Sequence, residues 1–169
     1  MSTDNPKYTI AVCNYNMEET LEESLRSMLD QVDERFEVLV IDDGSTDSSQ
    51  EILEELSEEY DKLRWMEDSN EYLNATRKTA NKKALGDYIL PQLDADDRYE
   101  DVIEDFVNIF HQIESKIDGD FYLQGQSIEI GSKDLILEYN FRELSYGGDR
   151  DFWRRAHGDD KIILIDEVY

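Results

Sequence analysis

The sequence predicts an α/β fold with a mostly parallel central sheet flanked by helices. Short apolar runs recur at residues 8–13 (YTIAVC), 36–41 (FEVLVI), 63–66 and 88–93, and amphipathic stretches of helical period separate them. Size agrees: 169 residues with 39% hydrophobic content suit one domain with a real core, spanning residues 1–169.

The elements follow in order. After the first strand, Leu21, Leu25, Met28, Leu29 and Val32 recur at helical spacing within residues 18–32. The second strand ends at Asp42-Asp43-Gly44, and Thr46 or Asp47 caps a helix carrying Ile52, Leu53, Leu56 and Tyr60 on one face. A short strand at 63–66 precedes a polar helix over 72–84, stopped by Gly86. In the fourth strand Pro91 removes a ladder donor, so pairing is expected to break near its end. Residues 101–116 form a strong helix with Val102, Phe106, Ile109, Phe110, Ile113 and Ile117 inward. Beyond it the pattern weakens. Residues 121–130 read as one strand containing Gly125, 135–144 fit helix or strand, 149–157 make a short helix and 162–165 a last strand.

Charge narrows the function classes. The 42 Asp and Glu against 17 Lys and Arg leave a net charge of -25, which argues against a nucleic-acid or anionic-membrane surface. Acidity spread through the helices fits a salt-rich cytoplasm, where counterions screen the self-repulsion. The single cysteine, Cys13, excludes a disulfide framework and points to a reducing compartment. No apolar segment approaches the ~18 residues needed to span a bilayer, and MSTDNPKY lacks signal-peptide character. A cytoplasmic protein is expected, at most peripheral at the inner membrane face.

Acidic clusters carry little information here, because roughly eight four-residue windows with three or more acids arise by chance at this composition. Position does carry information. Ligands of open α/β sheets bind outside the carboxyl ends of the strands, and two clusters lie there: Asp42-Asp43, and Asp94, Asp96 and Asp97 in QLDADD. The acids of EEILEELSEEYD lie on a helix face and read as solvated charge. Carboxylates crowded into a cleft cannot all ionise comfortably, and Mg²⁺ or Mn²⁺ resolves the conflict while leaving room for water and phosphate oxygens. A capped turn before a helix explains Asp94 to Asp97 as simply, and Gly44 with Thr46 or Asp47 gives a turn and cap at the other cluster.

In combination these features resemble a known family. A strand ending in Cys13-Asn14-Tyr15-Asn16, then VLVIDDGSTDSS, then Arg77 nine residues before GDYI, then LDADD, is similar in order and spacing to the family 2 glycosyltransferases of GT-A fold. The resemblance covers residues 8 to 117 and implies a GT-A-like, Rossmann-related sandwich that moves a sugar from a nucleotide-diphosphate-sugar donor of UDP, GDP or dTDP type, with inversion, to a glycan or lipid-linked acceptor. It implies Cys13, Asp42, Asp43, Arg77 and Asp94 beside the nucleotide sugar. It also implies Asp96 as metal ligand, with Asp94 and Asp97 as companions for Mg²⁺ or Mn²⁺. SYGGDRDFWRR resembles the segment that supplies the general base. Asp149 takes that part, with Gly148 where the family usually has Glu; an N-cap role is the simpler account of Asp149. Arg150, Arg154 and Arg155 either face an anionic substrate or pair with nearby carboxylates.

Departures shape further expectations. Gln92 adds a residue before LDADD, so a bulge shifts which aspartate faces the metal. Lys78 replaces the Asn often found after the Arg. Residues 1–117 make the nucleotide-sugar half and 118–169 a shortened acceptor half, so a partner or oligomer is expected to complete the acceptor site. Two rival accounts remain: a nucleotide- or metal-binding module without transferase activity, and a phosphatase with Asp94 as nucleophile and Asp96 as acid. The phosphatase leaves Asp42-Asp43, Arg77 and Asp149 unexplained. CNYNMEET also lacks the Gly-rich basic loop of a sugar nucleotidyltransferase.

Overall fold

Among the described residues, seven strands form one sheet in the order β3-β2-β1-β4-β6-β5-β7. They are β1 (Tyr8–Asn14), β2 (Phe36–Asp42), β3 (Leu63–Glu67), β4 (Tyr88–Asp94), β5 (Tyr122–Gln124), β6 (Glu129–Ser132) and β7 (Ile162–Leu164). The helices are α1 (Leu21–Leu29), α2 (Ser49–Glu59), α3 (Leu73–Lys83), α4 (Ile103–Glu114), α5 (Lys133–Tyr139) and α6 (Gly148–Gly158). The structure, a computed structural model, describes residues 5–69, 72–142, 144 and 146–165. The last residues of IILIDEVY and the first of MSTDNPKY lie outside that range.

β3, β2, β1 and β4 run parallel, and β6 alone is antiparallel to its neighbours β4 and β5. Side-chain alternation along the strands builds a core on each face. On one face Ile10, Val12, Val38, Val40 and Leu90 meet Leu25 and Met28 of α1, Leu53 of α2 and Phe106 and Phe110 of α4. On the other, Ala11, Leu39, Ile41, Ile89 and Tyr122 meet Ala80 of α3, Ile136 of α5 and Phe152 of α6. The near-continuous burial of β1 and β2 is what a parallel sheet covered on both faces requires. Among the described residues no helix is long and apolar enough to cross a membrane.

Several expectations are corrected. The helix expected over 18–32 is confined to Leu21–Leu29. The N-cap position of α2 is Ser48, while Asp47 Oδ1 accepts the Ser49 N–H at 3.0 Å. Gly86 does not stop α3, which ends at Lys83; a Cβ at 86 would lie 2.6 Å from the Tyr8 backbone, so its role is close approach. Val102 and Ile117 are exposed, and Ile103 and Val107 take the inward positions of α4. Residues 121–130 form a hairpin, β5 turning into β6, because Gly125 N–H bonds the Ile128 carbonyl at 2.8 Å. The first half of the ambiguous stretch at 135–144 belongs to α5, which ends at Tyr139.

The expected bulge in β4 is present. Ile10 pairs with Leu90 but Val12 pairs with Leu93, so two steps on β1 match three on β4. The extra residue is Gln92, at φ 64°, and the ladder between β4 and β6 ends at Ile89 opposite Gly131, before Pro91.

Candidate functional site

The parallel strands end flush. Asn14 pairs with Asp42, Asp42 with Glu67, and Cys13 with Asp94, so the loops after β1, β2 and β4 converge at one edge. There they enclose a crevice of about 710 Å³ lined by Cys13, Asn14, Asp43, Ser69, Asp94 and Asp96, among others. Gly44, at φ 78°, turns the chain after Asp43 into this wall, and a Cβ there would sit 2.6 Å from Ser69 Oγ.

Asp42 lies beneath the floor rather than in it. It is fully buried and accepts from Asn14 Nδ2 at 2.6 Å, Ser45 Oγ at 2.6 Å, Ser45 N–H at 3.0 Å and Gln50 Nε2 at 2.8 Å. Burial alone would raise its pKa, but these hydrogen bonds outweigh burial and hold the carboxyl below its ordinary value. The expectation that Asp42 touches a ligand is therefore corrected: it fixes the loop that presents Asp43. Alternation along an extended chain sends one of two adjacent acids down and the other toward the crevice.

The Asp94 backbone is clasped on both sides. Its N–H donates to the Tyr99 hydroxyl at 2.9 Å, and its carbonyl accepts from Ser24 Oγ at 3.0 Å; the Ala95 carbonyl accepts from Thr20 Oγ1 at 3.0 Å. The side chain points outward, 57% accessible, with Arg77 Nη2 3.9 Å from Oδ1. Desolvation by the crevice walls pushes its pKa up; Arg77 opposes that, and Asp96 and Asp97 add to it. Arg77 is itself seated 5.7 Å from the Phe141 ring centre. Burial pushes the Cys13 thiol up to about 12, so it lines the wall as a neutral group.

Asp94 also lines a second, smaller pocket of about 190 Å³, together with Arg77, Gln92, Asp97, Glu129, Asp149 and Trp153 among others. Asp149 is the second residue of α6, whose N-cap is Gly147, so it does not cap the helix; its Oδ1 accepts the Arg150 N–H at 2.8 Å. The expected aspartates thus divide: Asp96 lines the large crevice, Asp97 the small pocket and Asp94 both. Of the late arginines, Arg155 pairs with Asp151 at 2.9 Å.

Glu129 was missed by the sequence reading. It is buried on β6, accepts from the Tyr122 hydroxyl, and accepts from Gln92 Nε2 at 3.1 Å. Burial pushes its pKa up to about 7; Tyr122, the Trp153 indole and Arg77 oppose that, and Asp149 adds to it. The available signal was a lone acid between Ile128 and Ile130 in a strand.

Two crevice-lining residues keep buried acceptor atoms with no hydrogen-bond partner, Asn14 Oδ1 and Thr76 Oγ1. Such atoms are costly unless a polar ligand meets them. Among the described residues, no group of three or more His, Cys, Asp or Glu side chains is gathered to hold a metal alone. The oxygen-only donors Asp94 and Asp96 nevertheless suit Mg²⁺ or Mn²⁺, which take one or two carboxylates and complete their shell with phosphate and water.

The sequence profile of glycosyl transferase family 2 matches residues 9–165. The chain belongs to that family. The Streptococcus pneumoniae glycosyltransferase GlyA is 35% identical over 106 residues, covering 63% of this chain and 15% of GlyA. S. aureus TarS in complex with UDP superposes with a TM-score of 0.79 at 21% identity, covering 96% of this chain and 59% of that one. A Pyrobaculum calidifontis mannosyltransferase in complex with GDP-Man and Mn²⁺ gives 0.76 at 16% identity, covering 98% and 56%. At such identities the structural likeness is one of fold, and it establishes the GT-A architecture. The family 2 chain spans only part of each of these proteins.

Proposed function

We propose that this family 2 chain transfers a sugar from a nucleotide-diphosphate-sugar donor to an acceptor hydroxyl, with inversion at the anomeric carbon and with Mg²⁺ or Mn²⁺. The observation that carries the reading is that Asp94 is the shared wall of two pockets, one reaching Asp43 and Cys13 and the other reaching Asp149.

In this reading Asp43 accepts a hydrogen bond from the nucleobase, Cys13 packs beside it, and Arg77 faces the diphosphate. Asp96, with Asp94 or Asp97, holds the metal, which when bound supplies positive charge against the leaving diphosphate. In the adjoining pocket Asp149 accepts the acceptor hydroxyl proton while that oxygen bonds to the anomeric carbon and the bond to the diphosphate breaks. Residues 1–117 form the donor half and 118–169 the acceptor half, completed by a partner, a second copy or further chain. The acceptor is a glycan, a polysaccharide or a lipid carrier met in a salt-rich cytoplasm, at most at the inner face of a membrane.

The ligands bound in TarS and the Pyrobaculum enzyme, UDP and GDP-Man, support a nucleotide-diphosphate ligand class. Calorimetric titration with UDP, GDP and dTDP, with and without Mn²⁺, tests the reading. Metal-dependent binding of one of them is expected, and a donor screen by nucleotide release then identifies the sugar. Absence of metal-dependent binding of all three would remove the reading.

A further inference from the structure

Residues 90 and 94 are four apart, so in a regular strand they share a face. Leu90 faces the core beneath α1 and α4, and Asp94 would follow it there. The Gln92 bulge prevents this: it shifts the phase by one residue, pairs Asp94 with Cys13 and turns its carboxylate to the crevice.

A non-glycine residue at φ 64° keeps that conformation only where its surroundings hold it. On the β1 side the ladder resumes at Leu93, but on the β6 side no backbone pairing holds the bulge, since the ladder of β4 with β6 ends at Ile89. Continuing the same register would set Pro91, which has no N–H, opposite Glu129. At this gap the Gln92 side chain donates to Glu129 at 3.1 Å, and Glu129, buried, is anchored from behind by the Tyr122 hydroxyl of β5. A side-chain bridge thus replaces the missing ladder bond.

We propose that Glu129 is a positioning residue that latches the Gln92 bulge and thereby sets the direction of Asp94. Its consequence for function rests on the donor and metal reading above; its structural content does not. Arg77, Asp149 and Trp153 line the same pocket as Gln92 and Glu129, so the latch adjoins the residues assigned to donor and acceptor.

The test is a cycle of variants. Gln92→Leu, at a half-buried position, and Glu129→Leu each break the bridge from one side. Both are expected to weaken Mn²⁺-dependent UDP binding tenfold or more while metal-free UDP affinity changes less than twofold. Gln92→Gly accepts φ 64° without a latch, so it should bind within threefold of the wild type, and Glu129→Leu added to it should cost less than threefold. Equal losses in both backgrounds would overturn the latch, as would unchanged metal-dependent binding in Gln92→Leu. A crystal structure of Gln92→Leu is the independent readout: residue 92 leaves positive φ and Asp94 turns from the crevice. An unaltered bulge would overturn the proposal even if the wild type proved to bind no nucleotide.

Discussion

Asn74 occupies the space that a side chain at position 148 would need. A Cβ on Gly148 would lie 2.2 to 2.4 Å from the Asn74 amide, and that amide is buried and donates to the Leu144 carbonyl at 2.6 Å. Helices α3 and α6 therefore touch through a residue with no side chain. Arg77 lies one turn along α3 from Asn74, and Asp149 directly follows Gly148, so this contact sets the spacing between two residues that line the small pocket. It also explains why glycine stands where the family resemblance leads one to expect glutamate.

Gly148→Ala should therefore destabilise the fold by about 1 to 3 kcal/mol through overpacking, read as a lower midpoint in denaturant. Trimming the obstruction tests the cause. In an Asn74→Ala background the same substitution should cost clearly less, because the alanine at 74 leaves room. Additive losses would show that the two positions do not compete for space.

Asp149→Asn should leave nucleotide affinity within about twofold and reduce transfer by a factor of about 10² to 10⁴, the usual contribution of a general base. The geometry behind this is the placement of Asp149 in the small pocket, away from the crevice that holds Asp43 and Cys13. Calorimetry and a nucleotide-release assay on the same preparation separate the two effects. Parallel loss of binding and turnover would take Asp149 out of that role.

The strands and helices up to residue 114 were legible because each carries several periods of its pattern: β1 and β2 are seven residues long and α4 twelve. The later part was not, because β5 and β7 have three residues and β6 four, too few alternations to separate a hairpin from one long strand. At the site, the address of the acids was legible and their direction was not. Asp42 and Asp43 are chemically alike, and only the packed strand shows one bonded beneath the floor and the other lining the crevice. Glu129 was hidden by the acidic background, since its meaning lies in its contact with Gln92 beyond the end of the ladder between β4 and β6. The Gln92 bulge, by contrast, was readable from one surplus residue before LDADD.

Two buried carboxylates give opposite pH dependences. Asp42 has a depressed pKa in the fold, so its stabilisation is present above its ordinary value near 3.8 and is lost as pH falls through its lower folded value. Glu129 is raised from 4.5 to about 7, so its contribution is full below 4.5 and is lost as pH rises toward and through 7. That loss is on the order of 3 kcal/mol. Denaturant midpoints of the wild type should fall between pH 5 and 7.5, and Glu129→Gln, which does not ionise, should flatten that limb while leaving the acid limb of Asp42 unchanged. An unaltered slope in Glu129→Gln would mean that another group titrates there.

Screening should stabilise this chain, and the sign follows from its ion pairs as well as its net charge. Arg98 and Glu23 pair at 3.2 Å but are 68% and 71% exposed, a geometry in which a salt bridge contributes little that salt could remove. Against such weak attractions stands a net charge of -25, whose repulsions are long-ranged at low salt and fall off within about 3 Å at 1 M. The thermal midpoint should therefore rise by several degrees between about 0.02 and 1 M KCl at pH 7.5, an expectation that flat melts would contradict. Salt also strengthens apolar burial, and pH separates the two causes. Near the isoelectric point of about 4.2 the net repulsion vanishes, so a screening effect should largely disappear there, whereas a rise of the same size at both pH values would assign the stabilisation to the core.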